Sequence, residues 1–142
     1  MSLAIYESAD PTTDFSADGD MTNPIRQSFD GRVGGVKEIK YYVRNDNVSN
    51  TYTDIVVTPV DRNSPTTNFV DGTNGYSWKL KVGNTQPLAE EWDTIADGNT
   101  ISFDNISDTV TYLPFWVRIE VPLSAPVDSF DSVVLRLTAS ES

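Results

Sequence analysis

The chain has 142 residues with no cysteine and no histidine, and its 10 Lys and Arg against 21 Asp and Glu give a net charge of −11. Without cysteine there are no disulfides and no thiol nucleophile, and without histidine the commonest general base and metal ligand are missing, so we predict that the protein is not an enzyme. The negative charge disfavours nucleic acids and anionic membranes as partners, because both are bound mainly through Lys and Arg.

Residues 1–35 are predicted to form a short strand at residues 3–6, followed by a long irregular polar segment. The opening residues carry no basic region and no long apolar run, so we expect neither a signal peptide nor a membrane anchor. Irregular stretches of this length in a compact domain are usually functional or disordered. We assign the segment to one domain together with the residues that follow it.

A calcium-binding pattern begins inside this segment and is not completed. Asp14, Ser16 and Asp18 occupy the first, third and fifth positions of an EF-hand-type loop, and a glycine follows at the sixth. The twelfth position is Ile25, where a bidentate glutamate is required. A solvated acidic loop is therefore the favoured interpretation, with no cofactor. Asp14, Asp18 and Asp20 are the residues that would hold Ca²⁺ if the incomplete pattern binds it.

Residues 36–142 are predicted to form the body of the domain, with strands in which apolar and polar residues alternate. The first strand covers residues 36–45 and the second residues 52–58. Turn-forming residues at 45–47 separate them, so we expect the two strands to pair as a hairpin.

Three further elements are predicted in the middle of the chain. The clearest alternation covers residues 76–82, where Trp78 and Leu80 share the apolar face. A single helical turn is expected at residues 87–92, because proline favours the first position of a helix. A short strand follows at residues 100–103.

The last two strands are predicted over residues 111–121 and 132–139. In the first of them, alternation directs one set of side chains inward and the other outward. The inward set is Leu113, Phe115, Val117, Ile119 and Val121, and the outward set is Tyr112, Pro114, Trp116, Arg118 and Glu120. About seven short strands of this kind predict an all-β fold, a single two-layer antiparallel β-sandwich, with a jelly roll as the alternative.

Two of the predicted outward faces carry aromatic and basic side chains. The residues are Lys40, Tyr42 and Arg44 in one strand and Tyr112, Trp116 and Arg118 in the other. Tyr, Trp and Arg are enriched at the centres of protein interfaces, so we predict that these six residues bind a partner. The alternative is that the polar segment of residues 8–35 folds over this face and covers it within the same chain.

Most of the chain from residue 36 onwards resembles an immunoglobulin-like domain. Residues 36–45 and 53–59 resemble the strand, asparagine turn and strand of such a domain, and residues 115–122 and 133–139 resemble its last two strands. Short, acidic, cysteine-free single domains with this pattern are similar to accessory virion proteins of tailed bacteriophages. Those proteins include capsid decoration proteins and small tail or baseplate components. The resemblance implies an immunoglobulin-like sandwich.

The resemblance also implies a non-enzymatic structural role in a virion, in which the protein binds a repeating protein lattice. Capsid decoration is the first expectation and a tail or baseplate position the second. The implied partners are the major capsid protein or tail subunits, with self-association in the assembly. The missing signal peptide agrees with assembly in the host cytoplasm. The competing hypothesis is a carbohydrate-binding module in which Trp116, Tyr112 and Trp92 stack on sugar rings.

Overall fold

Nine strands and one short helix lie within the residues that the computed structural model describes, which are 3–6, 14–15, 35–45, 49–61, 64–68, 77–121 and 133–142. The elements in chain order are β1 (Leu3–Tyr6), β2 (Asp14–Phe15), β3 (Gly35–Asn45), β4 (Tyr52–Asp61), β5 (Ser64–Asn68), β6 (Ser77–Val82), α1 (Ala89–Asp93), β7 (Ile101–Phe103), β8 (Tyr112–Val121) and β9 (Val133–Glu141). In these ranges, no helix is long and apolar enough to cross a membrane.

The strands form two antiparallel sheets, and this confirms the predicted β-sandwich. The first sheet has the strand order β2-β1-β3-β8-β6. In the second sheet, β4 pairs with β9 along one edge from Tyr52 to Asp61. Because a strand has only two edges, β7 and β5 lie end to end along the other edge of β4, with β7 opposite Ile55 and β5 opposite Val60.

The core lies between the two sheets and is built from the apolar side of each alternating strand. Phe115, Val117 and Ile119 of β8 are buried there, as the alternation predicted. Alternation with Trp78 and Leu80 also places Val82 on the inward side of β6, but Val82 lies at the end of the strand and is 42% exposed. The buried residues of the core cluster are Leu3, Ile5, Tyr41, Val43, Tyr52, Ile55, Val57, Trp78, Leu80, Ile101, Ile106, Phe115, Val117, Ile119, Leu135 and Leu137. Burial of each large apolar side chain contributes about 1.5–3 kcal/mol, which is what holds the two layers together.

The prediction that residues 36–45 and residues 52–58 pair as a hairpin is wrong. β3 pairs with β1 and β8 in the first sheet, whereas β4 pairs with strands of the second sheet. The connection between them therefore crosses from one layer to the other. The buried Asn45 side chain stabilises this crossing, because its Nδ2 donates to the carbonyl oxygens of Asn50 at 3.1 Å and Asp108 at 3.3 Å.

The strand order differs from that of an immunoglobulin domain. Seven of the described strands pair with a neighbour through three or more residues, four of them in the first sheet and three in the second. We number these seven strands in chain order. The neighbours β1, β3, β8 and β6 in the first sheet are then the first, second, sixth and fourth strands. The corresponding sheet of an immunoglobulin domain contains the first, second, fifth and fourth strands in that order. The two-layer architecture is shared, and the strand connections are not.

The outer edge of β6 is capped by a turn instead of another strand. Asn99 forms two hydrogen bonds with the backbone of Leu80, accepting from its N–H and donating to its carbonyl oxygen, both at 2.8 Å. Asp97 accepts from the N–H of Trp78 at 2.8 Å, and Gly98 donates to the carbonyl oxygen of Trp78 at 2.7 Å. The turn therefore satisfies backbone groups that an exposed edge strand would offer to another chain.

Candidate functional site

The outward side of the first sheet, which we call the outer face, carries most of the basic residues that the structure describes. Five of the seven Lys and Arg in the described ranges lie on it, and they alternate along their strands with core residues. These five residues are Lys40 and Arg44 on β3, Lys79 and Lys81 on β6, and Arg118 on β8. Basic side chains are thus concentrated on one face while the net charge of the molecule is −11.

All six residues predicted to bind a partner lie on this outer face. They are Lys40, Tyr42, Arg44, Tyr112, Trp116 and Arg118, and each is half-buried. The pairing of β3 with β8 places Lys40 directly opposite Trp116, and Arg44 directly opposite Tyr112. Residues from two separate parts of the chain therefore meet on one face, which the alternation within each strand did not predict.

A segment of the same chain, residues 84–93, lies over part of the outer face; we call it the cover segment. Lys40 donates to the Asn84 side chain, and Lys81 forms an ion pair with Glu91 at 3.4 Å. Lys40 and Lys81 lie on either side of Trp116 in the sheet. The cover segment must therefore cross the outer face at Trp116.

Trp92 anchors the cover segment to the sheet and is only 1% exposed. Its indole Nε1 donates to Glu38 at 2.7 Å, and its carbonyl oxygen accepts from Lys79 at 3.1 Å. Pro87 is buried as well. The hypothesis that Trp92 stacks on a sugar ring is therefore wrong, because its ring is enclosed by the protein.

Trp116 is partly enclosed by the same arrangement. Its indole nitrogen is buried, and it has no hydrogen-bond partner among the described residues. Sequence analysis left open that residues 8–35 cover the outer face. Only β2 and Gly35 of that segment are among the described residues, so this alternative stays a prediction. The cover segment, from a different part of the chain, contacts Lys40 and Lys81 on either side of Trp116.

The other end of the outer face carries what we call the tyrosine-arginine cluster, formed by Tyr6, Tyr42, Arg44 and Tyr112. The guanidinium of Arg44 lies 5.8 Å from the ring centre of Tyr6 and 5.4 Å from that of Tyr112. The rings of Tyr42 and Tyr112 meet edge to face, with centres 6.2 Å apart and planes at 88°. Cation-ring contacts of this kind contribute about 0.5–1 kcal/mol each at exposed sites, so the cluster is held in place before any partner arrives.

The cations of the outer face differ in their counterions. Lys81 pairs with Glu91, and Arg118 pairs with Glu120 at 3.2 Å. Arg44 has no carboxylate partner among the described residues, and Lys40 contacts only the Asn84 amide and the Tyr42 ring, whose centre is 5.3 Å from its Nζ. Lys79 donates to the carbonyl oxygen of Trp92 and likewise has no carboxylate partner among the described residues. Three cations of the outer face are therefore left without a described carboxylate, and Arg44 is the one that belongs to the tyrosine-arginine cluster.

Sequence analysis did not include Tyr6 and Glu38 in the site. Tyr6 lies opposite Tyr42 in the pairing of β1 with β3, and Glu38 lies opposite Arg118 in the pairing of β3 with β8. Leu3 and Ile5 of β1 belong to the buried core, so alternation alone would have placed the next residue, Tyr6, on the outward side. Which strand lies beside β3 could not be read from the local pattern.

A loop ending at Thr111 positions Arg44. The Asp108 carboxylate accepts hydrogen bonds from the N–H groups of Val110 at 3.0 Å and Thr111 at 2.8 Å. The same loop presents the carbonyl oxygen of Thr109 to the Arg44 Nε at 3.3 Å. Hydrogen bonds from Thr111, first from its side chain and then from its backbone, lower the pKa of Asp108 below its ordinary value of 3.8.

Replacing Asp108 with asparagine is expected to remove a pH-dependent part of the stability. Because the pKa is lower in the folded state, the stabilising effect is present above pH 3.8 and is lost as the pH falls through the folded-state pKa. Urea unfolding of both proteins at neutral pH and at about pH 2.5 measures this effect. We expect the advantage of the original protein over Asp108→Asn to shrink at the lower pH. Asp104→Asn, at an exposed position, is the control, and an equal advantage of Asp108 at both pH values would contradict the prediction.

The predicted calcium ligands stay a prediction. Asp14 lies in β2, with its side chain outside the described part of the structure, and Asp18 and Asp20 lie outside the described residues. Among the residues that are described, no three His, Cys, Asp or Glu side chains are grouped as a metal site.

The outer face therefore combines a covered half at Trp116 and a preorganised cationic half at Arg44. Both halves are built from side chains that alternate with the core, so the sandwich itself holds them in register. No protein-family model, no curated protein and no solved structure matches this chain. Any inference about the function of the outer face therefore rests on the side chains of the face itself.

Proposed function

We propose that this chain is a non-enzymatic structural protein of a tailed bacteriophage particle and that the tyrosine-arginine cluster is its binding surface for neighbouring subunits. Capsid decoration is the first assignment, and a tail or baseplate position is the second. The partners are the major capsid protein or tail subunits, and assembly takes place in the host cytoplasm. The phage assignment is supported by the similarity of this short, acidic, cysteine-free single domain to those accessory proteins.

The observation that carries the binding role is the geometry at Arg44. Its guanidinium contacts the rings of the buried Tyr6 and the half-buried Tyr112, and no carboxylate among the described residues neutralises it. Tyrosine and arginine dominate the energetic centres of protein interfaces, because their rigid or planar groups bury much area at a small entropic cost. A preorganised cluster of this composition suits a stable contact between subunits.

Ring geometry favours a protein partner over a carbohydrate. A sugar stacks on the open face of an aromatic ring, and a glycan chain extends over rings that share a plane. Here the planes of Tyr42 and Tyr112 meet at 88°. In addition, Arg44 lies over the Tyr112 ring and Lys40 lies over the Tyr42 ring, so each ring has one face already occupied.

The test is to mix the purified protein with undecorated phage shells and, separately, with tails, and to measure co-sedimentation. We expect stoichiometric binding to one of them. Tyr112→Ala should weaken that binding by about 2 kcal/mol or more if the cluster is the centre of the contact. Ser102→Ala, at an exposed position of β7 in the other sheet, should leave it unchanged. Failure to bind either particle, together with a positive glycan array, would replace the proposal with the carbohydrate-binding alternative.

A further inference from the structure

The contacts of the cover segment show which groups the outer face binds within the chain itself. The cover segment brings a carboxylate to Lys81, an amide oxygen to Lys40 and an indole ring to Glu38. It is an acidic turn with a tryptophan, and it contacts three lysines and Glu38 of the outer face. A segment of the chain itself thus occupies one half of the face.

The other half offers a guanidinium flanked by tyrosine rings, without an acidic occupant among the described residues. Arg44 uses its Nε to donate to Thr109, which leaves its two terminal nitrogens as further donors. Paired terminal nitrogens of arginine match the two oxygens of a carboxylate. Contacts with the rings of Tyr6 and Tyr112 restrict the rotamers of the Arg44 side chain, so less entropy is lost when an anion binds.

We propose that the tyrosine-arginine cluster binds an acidic segment of a partner protein, with an Asp or Glu carboxylate paired to Arg44 and an apolar neighbour of that residue packed against Tyr42. This inference rests on the proposed function and specifies its partner. Charge complementarity identifies the occupant, because Arg44 and Lys40 lack carboxylate partners among the described residues. The net charge of −11 repels polyanions such as nucleic acid at long range, whereas a short acidic segment needs only the local cations.

The experiment is an NMR titration of the isotope-labelled full chain with two synthetic peptides. One peptide has the sequence of residues 87–93, PLAEEWD, and the other replaces its acids with Gln and Asn. We expect the acidic peptide to shift the amide signals of Tyr42, Arg44 and Tyr112, with the effect weakening as salt is added. The neutral peptide should shift none of them.

Two variants that each remove one positive charge show where the acidic peptide binds. Arg44→Gln should weaken binding of the acidic peptide by roughly ten-fold or more, because the carboxylate loses its paired donors. Arg136→Gln, on β9 of the other sheet, should leave it unchanged. Shifts confined to Lys79, Lys81 and Trp92 would show that the peptide merely displaces the cover segment, and this would overturn the proposal. Absence of binding, or binding insensitive to Arg44→Gln, would also overturn it.

The particle assay separates this inference from the proposed function. If the protein binds phage particles and Tyr112→Ala weakens binding while Arg44→Gln does not, the acidic partner is wrong and the virion role stands. If the acidic peptide binds through Arg44 and no particle is bound, the virion role is wrong and the partner chemistry stands. A dimer in sedimentation velocity that Arg44→Gln dissociates would assign the site to a second copy of this chain and overturn the assignment to a partner.

Discussion

Replacing Trp92 with alanine is expected to destabilise the protein by about 3–5 kcal/mol, the usual cost of removing a buried tryptophan side chain. Trp92 is 1% exposed, and its indole Nε1 donates to Glu38 at 2.7 Å. Removing the ring also releases the main anchor of the cover segment, so the packing around Trp116 is lost with it. Urea unfolding followed by far-ultraviolet circular dichroism measures the change.

Two controls separate the packing of Trp92 from its hydrogen bond. Trp92→Phe keeps an aromatic ring and loses the N–H donor, so we expect a smaller loss of about 1–3 kcal/mol. Leu88→Ala changes the same segment at a side chain that is 59% exposed, and its effect should stay within about 0.5 kcal/mol. A Trp92→Ala protein as stable as the original would mean that the packing of the cover segment on the outer face does not stabilise the fold.

The alternation of apolar and polar residues was enough to predict which side chains point outward. Tyr42 and Trp116 alternate with buried core residues, and period two places them on the other side of their strands. Neither prediction required knowledge of which strands are neighbours. The composition of the outer face was therefore readable from the sequence before any pairing was known.

Strand pairing and the cover segment were not readable in the same way. A polar turn at residues 45–47 permits a hairpin in one sheet or a crossing between two sheets, and the choice depends on which distant strands complete each sheet. The contact of Arg44 with Tyr6 requires the pairing of β1 with β3, which joins residues far apart in the chain. A helical turn was predicted at residues 87–92, but nothing local states that Trp92 packs on the outer face.

The side chain of Asn99 protects the outer edge of β6. Replacing Asn99 with alanine is expected to destabilise the protein by about 2–4 kcal/mol. The substitution removes two hydrogen bonds of 2.8 Å and leaves the backbone N–H and carbonyl oxygen of Leu80 without partners. Leu80 is fully buried, and an unsatisfied buried polar group costs about 1–3 kcal/mol.

A charge change at the same position tests the geometry of this cap. Asn99→Asp keeps an acceptor for the N–H of Leu80 but places a carboxylate against its carbonyl oxygen, so we expect a loss of stability similar to that of the alanine variant. Asn105→Ala, at an exposed position of the chain, should change stability by no more than about 0.5 kcal/mol. Thermal unfolding of the three variants measures the differences.

Loss of the cap should also change how the protein associates. Once Asn99 no longer occupies the edge of β6, the strand offers free backbone donors and acceptors to another chain. We therefore expect Asn99→Ala to self-associate with increasing concentration in sedimentation velocity, more strongly than Asn105→Ala. Association through a strand edge depends on backbone hydrogen bonds and should persist at high salt, whereas association through Arg44 should weaken as salt is added. An Asn99→Ala protein that stays monomeric and as stable as the original would show that the turn at residues 97–99 does not protect this edge.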